Sequence, residues 1–214
     1  MEKQFVLSRV DHTELKQTAT WPDIAALIDG AIRFGTASVC VAPSFVKRAA
    51  EYAAGRMRIC TVIGFPNGYN TTEVKVFETA CAVSEGADEI DMVVNLGMVK
   101  EGRFEDVTEE IRQIKKACNG KLLKVIIETC YLTDKEKVEL CGCCAAAGAD
   151  FIKTSTGFGT GGATASDVRL FRENLPDSVK IKAAGGIKGF DDAEDLINAG
   201  ADRLGTSRLV KSLE

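Results

Sequence analysis

The tripeptide Gly-Ala-Asp occurs three times, at Gly86-Ala87-Asp88, Gly148-Ala149-Asp150 and Gly200-Ala201-Asp202, each between a helical pattern and an apolar run. Glycine is favoured just past a helix C-terminus, because the left-handed conformation there costs it no Cβ clash, so these are helix-to-strand joints. A related Gly35-Thr36-Ala37 lies earlier, and the four glycines are 51, 62 and 52 residues apart. A strand-helix unit takes roughly 25 to 30 residues, so each interval holds two units and the chain holds about eight.

Apolar runs place strands near Val6–Val10, Ala37–Val41, Arg58–Ile63, Glu89–Val93, Leu122–Ile127, Phe151–Lys153, Val179–Ala183 and Arg203–Gly205. Helical periodicity fills the gaps over Trp21–Phe34, Pro43–Ala54, Thr72–Glu85, Phe104–Cys118, Thr133–Ala147, Ala165–Glu173 and Asp191–Ala199. Thr20 and Thr133 stand at cap positions, Pro22 and Pro43 near first turns, and Ser166 and Asp191 ahead of apolar periodicity. Strict alternation implies a parallel sheet with right-handed crossovers. Eight units close into a single (β/α)8 barrel domain over residues 1–214, with room for a short N-terminal extension, and this length is usual for one barrel. An open doubly wound sheet is the alternative, but no Gly-x-Gly-x-x-Gly follows the first strand.

A net charge of -4 with 27% charged residues leaves no basic face, so neither nucleic acid nor an acidic membrane is an expected partner. No window approaches the roughly eighteen apolar residues of a membrane span, and the N-terminus lacks a signal-like run. A cytoplasmic location is therefore expected, and with it eight reduced cysteines. Cys141 and Cys144 form a Cys-x-x-Cys, but it lies in a helical, alanine-rich stretch with no second pair, and His12 is the only histidine. The reading is buried packing rather than a metal site, and no metal or cofactor is expected.

In a barrel, function collects at the C-terminal ends of strands. Three residues after the joint aspartates come Asp91, Lys153 and Gly205, which places them at similar depth, and Lys182 occupies a comparable position before Ala184-Gly185-Gly186. Alternation turns Asp91, Lys153 and Lys182 to one side and Ile90, Met92, Ile152 and Ile181 to the other. Lys180 shares the parity of Lys182 and is expected near the bottom rim. A paired Asp-Lys bridge would account for one lysine but not two. Neighbouring ammonium groups disfavour each other's charge, which lowers at least one pKa of such a pair and suits an amine nucleophile. Gly185, Gly186 and Lys188 after strand seven, and Gly205 and Ser207 after strand eight, stand where barrels hold phosphate, and a helix N-terminus after Gly205 would add to that site.

Six ordered motifs resemble the deoxyribose-phosphate aldolase family of class I aldolases. They are Asp11-His12-Thr13, Val39-Cys40-Val41-Ala42-Pro43, Val62-Ile63-Gly64-Phe65-Pro66, Glu89-Ile90-Asp91-Met92-Val93-Val94-Asn95, Val125-Ile126-Ile127-Glu128-Thr129 and Lys153-Thr154-Ser155-Thr156-Gly157-Phe158, followed by a further match over Lys182–Ile187. The resemblance implies reversible cleavage of 2-deoxy-D-ribose 5-phosphate into D-glyceraldehyde 3-phosphate and acetaldehyde, without metal or organic cofactor. It implies Lys153 as the Schiff-base lysine and Asp91 with Lys182 as the proton relay, Lys182 also favouring the neutral amine. Thr156, Gly157, Asp11 and Cys40 become further candidates for substrate contact. A homodimer or higher homo-oligomer is a family-level expectation. Some members carry lysine where this chain has Phe158, so part of the positive charge near the phosphate is missing unless Lys188 supplies it. The tyrosine-bearing tail of some relatives has no counterpart after Ser207 either. The competing readings are another phosphate-binding barrel aldolase or isomerase, and a sugar-phosphate-binding barrel without catalysis; the latter could dispense with Lys153, Asp91 or Lys182, and all three are present.

Overall fold

The apolar runs become eight strands in a computed structural model that describes residues 1–213: β1 (Val10–Glu14), β2 (Ser38–Val41), β3 (Ile59–Ile63), β4 (Glu89–Val93), β5 (Leu122–Ile126), β6 (Phe151–Lys153), β7 (Lys180–Ala184) and β8 (Arg203–Thr206). Each pairs in parallel with the next, and β8 pairs back onto β1, so the sheet closes into a (β/α)8 barrel with no free edge. Around it run α1 (Lys3–Leu7), α2 (Trp21–Phe34), α3 (Val46–Ala53), α4 (Thr72–Ser84), α5 (Leu96–Lys100), α6 (Phe104–Ala117), α7 (Asp134–Ala147), α8 (Ala165–Asn174), α9 (Phe190–Asn198) and α10 (Arg208–Lys211).

The joints behave as their sequence demands, and the aspartates do more than mark them. Gly35 and Gly148 cap α2 and α7 in the left-handed conformation, while Gly86 and Gly200 follow α4 and α9 with φ of 107° and 118°. The carboxylate of each joint aspartate then accepts a backbone N–H at the foot of the preceding strand: Asp88 from Ile59 at 3.1 Å, Asp150 from Leu123 at 2.7 Å and Asp202 from Ile181 at 2.9 Å. Thus the repeated tripeptide ends one helix, starts one strand and ties down its neighbour. Thr20 with Asp23, and Thr133 with Glu136, form the capping boxes of α2 and α7.

Several expectations change. Of the expected strand at residues 6–10, only Val10 belongs to β1. Val6 and Ser8 donate to Glu2 and Gln4 in helical bonds, Val6 and Leu7 bury themselves as part of α1, and pairing with β8 begins only where Arg9 accepts from Leu204. The apolar run that looked like a strand is a short helix ahead of the barrel. Residues 43–54 split into a tight turn at Pro43–Phe45 and α3. The cap of α8 is Thr164, which accepts from the Asp167 N–H, and that of α9 is Gly189, rather than Ser166 and Asp191.

Alternation divides the interior into two cores of different chemistry. Outward residues such as Val39, Ile63, Ile90, Met92, Val125, Ile152, Ile181 and Leu204 pack against helices in one continuous apolar cluster. Inside the barrel, Cys40, Cys60 and Val62 form a separate small cluster, and the remaining space is filled largely by charge. Cys141 and Cys144 lie in α7 as members of the outer core, as expected of packing residues. Lys180 is exposed at the start of β7 with its ammonium 5.9 Å from the Phe151 ring centre, at the bottom rim.

His12 faces outward from β1 and is only 2% exposed. Burial pushes its pKa down to about 4, with a further lowering by Lys211 and opposing contributions from a Thr206 backbone contact and Glu14. The folded state therefore binds this proton less readily than the unfolded state. Its stabilising contribution is full above an unfolded pKa near 6.5 and is lost as pH falls toward about 4, amounting to about 3 kcal/mol. In His12→Gln the pH dependence of the urea-unfolding free energy between these values is expected to flatten; an unchanged slope would assign it to other groups.

Candidate active site

Seven charged side chains enter the barrel from β1, β4, β5, β6, β7 and β8. Four are cations (Lys124, Lys153, Lys182, Arg203) and three are carboxylates (Asp11, Glu89, Asp91). Register explains the convergence: Asp91 lies opposite Lys124, and Lys153 opposite Lys182, which lies opposite Arg203. Buried charge is tolerated only when paired, and here each side chain meets at least one opposite charge. Asp91 is the hub. Its Oδ2 lies 2.7 Å from both Lys153 Nζ and Lys182 Nζ, and its Oδ1 lies 2.8 Å from Lys124 Nζ and 3.2 Å from Cys60 Sγ.

Below the hub, Arg203 lies 2.6 Å from Asp11 Oδ1 and 3.3 Å from Glu89 Oε2, and Lys124 lies 2.6 Å from Glu89 Oε2. Lys182 also reaches Asp11 Oδ2 at 2.5 Å, and Ser38 donates to Asp11 Oδ1 at 2.7 Å. Lys153 differs from the other cations in having Asp91 as its one carboxylate partner within 4 Å among the described residues. With four cations against three carboxylates, loss of one proton would bring the cluster to balance.

The neighbours set the proton affinities. Burial pushes the Asp91 carboxyl up, but Lys124, Lys153 and Lys182 together outweigh it and hold it well below the usual carboxylate range. Asp11 is lowered likewise, against burial, by Lys182, Lys124 and Arg203. For Lys182, burial favours the neutral amine, yet Asp11 and Asp91 prevail and raise its pKa. At Lys182 the two carboxylates therefore outweigh burial and the neighbouring Lys124, and this lysine is held protonated.

Above Asp91 opens a cavity of about 270 Å³ with Lys153 in its wall. Thr156 and Gly157 after β6, Gly185, Gly186 and Lys188 after β7, Gly205 within β8 and Ser207 just after it all line the cavity, so these segments converge on one mouth. Gly185 and Gly186 take φ of 82° and 78°, which turns the loop sharply beneath the opening. At Gly205 a Cβ would lie 2.9 Å from Ala184 Cβ and 3.2 Å from Lys182 Cε, so glycine leaves the channel that Lys182 fills. The expected helix N-terminus contributes little: α10 has only four residues, and the Arg208 N–H already donates to Thr206 Oγ1 at 3.1 Å.

Asp11 and Cys40 do not line this cavity. Asp11 is fully buried beneath it in the charge network, and Cys40 is buried inside the barrel beside Cys60. Phe158 is at the mouth, 51% exposed, and its ring packs edge-on against Phe65 at 5.4 Å.

Sequence reasoning missed Lys124, Glu89 and Arg203, although each shares the inward parity of its strand. It also passed over Lys16 and Arg208, which bring positive charge to the cavity rim from exposed positions. The least visible omission is Glu128. This residue has a left-handed backbone with φ of 53°, is 3% exposed, and accepts from both the Thr156 N–H at 3.1 Å and the Thr156 hydroxyl. Thr156 in turn accepts from the Phe158 N–H. A buried carboxylate in a disfavoured backbone conformation thereby fixes the loop that follows Lys153.

A model of the DeoC/LacD family of aldolases matches residues 5–204. The chain is 58% identical over 211 residues to deoxyribose-phosphate aldolases of Streptococcus pyogenes and Streptococcus agalactiae, covering 99% of this chain and 95% of each relative. It superimposes on the tetrameric deoxyribose phosphate aldolase of Aeropyrum pernix with a TM-score of 0.92 at 32% identity, covering 99% of this chain and 92% of the other.

Replacing Glu128 by alanine leaves two buried donors of Thr156 unpaired and is expected to cost about 1–3 kcal/mol in urea unfolding. Glu128→Gly relieves the backbone strain but loses the same anchor. If Glu128→Ala, which keeps the strain, unfolds with the wild-type free energy, the carboxylate contacts carry no stability.

Proposed function

Because the chain belongs to the DeoC/LacD family of aldolases, we propose that the barrel mouth cleaves 2-deoxy-D-ribose 5-phosphate reversibly into D-glyceraldehyde 3-phosphate and acetaldehyde, with Lys153 as the Schiff-base amine. The observation that carries the assignment is the shared contact of Asp91 Oδ2 with Lys153 and Lys182, 2.7 Å to each, directly beneath a glycine-lined cavity.

In this reading the neutral Lys153 amine attacks C1 of the open-chain sugar, and loss of water gives an iminium. Removal of the C3 hydroxyl proton lets the C2–C3 bond break, its electrons passing into the iminium to form an enamine while glyceraldehyde 3-phosphate departs. Protonation at C2 and addition of water then release acetaldehyde and the free amine. Asp91, ionised and touching two ammonium groups, is placed to accept and return protons. Lys182, held protonated by Asp11 and Asp91, is the matching acid. The phosphate would lie along Gly185, Gly186, Gly205 and Ser207, with Lys188, Lys16 and Arg208 supplying positive charge at the rim.

The residues act as one domain in this scheme. A homo-oligomer is supported by the tetramer of the Aeropyrum pernix relative. A cytoplasmic site of action fits eight unpaired thiols, which persist in a reducing compartment.

Incubation with acetaldehyde followed by borohydride should place an ethyl group on Lys153, identified by peptide mapping, and Lys153→Arg should abolish both labelling and cleavage. Labelling at any other lysine overturns the assignment. Phe158→Lys should increase the preference for phosphorylated over unphosphorylated deoxyribose, read as a ratio of kcat/KM values; an equal or smaller ratio would mean that the rim cations already suffice.

A further inference from the structure

Cys40 and Cys60 are directly opposed in the register of β2 and β3, with both side chains inside the barrel and 1% and 0% exposed. Their sulfur atoms and a carboxylate oxygen of Asp91 all lie within 4.8 Å of one another. The two thiols differ in character. The neighbouring Cys60 side chain, and after it Lys182 and Lys153, lower the Cys40 pKa against burial and Asp91. Burial, followed by the neighbouring Cys40 and by Asp91, raises that of Cys60. Two opposed thiols, one with its thiolate favoured relative to the other, have the arrangement of an attacking and a resolving cysteine. The aldol chemistry above uses neither sulfur. Cys60 nonetheless touches the centre of that chemistry, with its Sγ 3.2 Å from both Asp91 Oδ1 and Lys124 Nζ.

We propose that Cys40 and Cys60 form a peroxide-sensitive dithiol whose oxidation to an intramolecular disulfide withdraws Cys60 from Asp91 and switches the site off. The Cys40 thiolate attacks one oxygen of hydrogen peroxide, the O–O bond breaks, and hydroxide leaves a sulfenic acid behind. The Cys60 sulfur then attacks the sulfenyl sulfur, forming the S–S bond and expelling a second hydroxide. One of the two hydroxides takes the Cys60 proton and the other the proton that Cys40 had released, so two thiols lose two electrons and two protons and one peroxide becomes two waters. Leu15 and Phe65, both half-buried, pack against the cluster of Cys40, Cys60 and Val62 and, with Val62, line an opening of about 390 Å³, which is the side from which a peroxide would approach.

The loss of activity rests on the proposed aldolase function; the cross-link does not. The whole chain is treated with hydrogen peroxide, digested and mapped, while deoxyribose 5-phosphate cleavage is assayed before and after dithiothreitol. Expected are a Cys40–Cys60 linked peptide, an activity loss of about tenfold or more, and recovery of both thiols and activity on reduction. Cys60→Ala and Cys40→Ser should each abolish the reversible loss, read against each variant's own untreated rate. The idea is overturned if no linked peptide forms while exposed Cys81 is oxidised, if the linkage forms with activity intact, or if reversible loss persists in Cys60→Ala. An untreated chain without cleavage activity would sink the aldolase reading, and the peptide map would still decide the dithiol.

Discussion

The interior of this barrel depends on the electrostatic satisfaction of one buried carboxylate. Asp91 meets Lys124 through one oxygen and both Lys153 and Lys182 through the other. Remove its charge and three ammonium groups lose a shared partner in a region with almost no access to water. The network beneath it, with Asp11, Glu89 and Arg203, carries compensation across to β8 and β1. A barrel interior can be filled by layers of branched apolar side chains. Here it is filled by paired charge, and the apolar burden falls on the interface between strands and helices.

That division has a functional consequence. The outer cluster of valine, isoleucine and leucine holds the strands in position without entering the site. The inner network can then combine tight packing with proton mobility, because its members are bonded to one another through groups that titrate. Its lower members have several opposite charges each and are locked. Lys153, with a single carboxylate partner, is the one member of the network that lines the cavity. The loops above it are held by separate means: Glu128 anchors Thr156, and Ala163 donates to the carbonyls of Ala184 and Gly185, joining the loop after β6 to that after β7.

The fold was largely legible because its signals are local. Helix ends declare themselves through Gly35 and Gly148, caps through Thr20 and Thr133, and strand faces through the alternation of Ile90, Asp91 and Met92. The first strand was misread because Phe5-Val6-Leu7 is apolar in either conformation, and only pairing with β8 shows where the sheet begins. In the site, parity identified Asp91, Lys153 and Lys182. Lys124, Glu89 and Arg203 obey the same parity but carried no distinguishing local mark, and the contacts of Glu128 with Thr156 span 28 positions of chain.

By itself the sequence determined the eight strand-helix units, the convergence of Asp91, Lys153 and Lys182 on one face, and the glycine loops above them, because periodicity and backbone conformation are properties of neighbouring residues. Tertiary structure alone decided the proton affinities. Whether Lys182 is pushed toward the amine by burial and Lys124 or kept as an ammonium by Asp11 and Asp91 depends on distances across the barrel, and Coulomb interactions between buried groups follow those distances rather than separation along the chain.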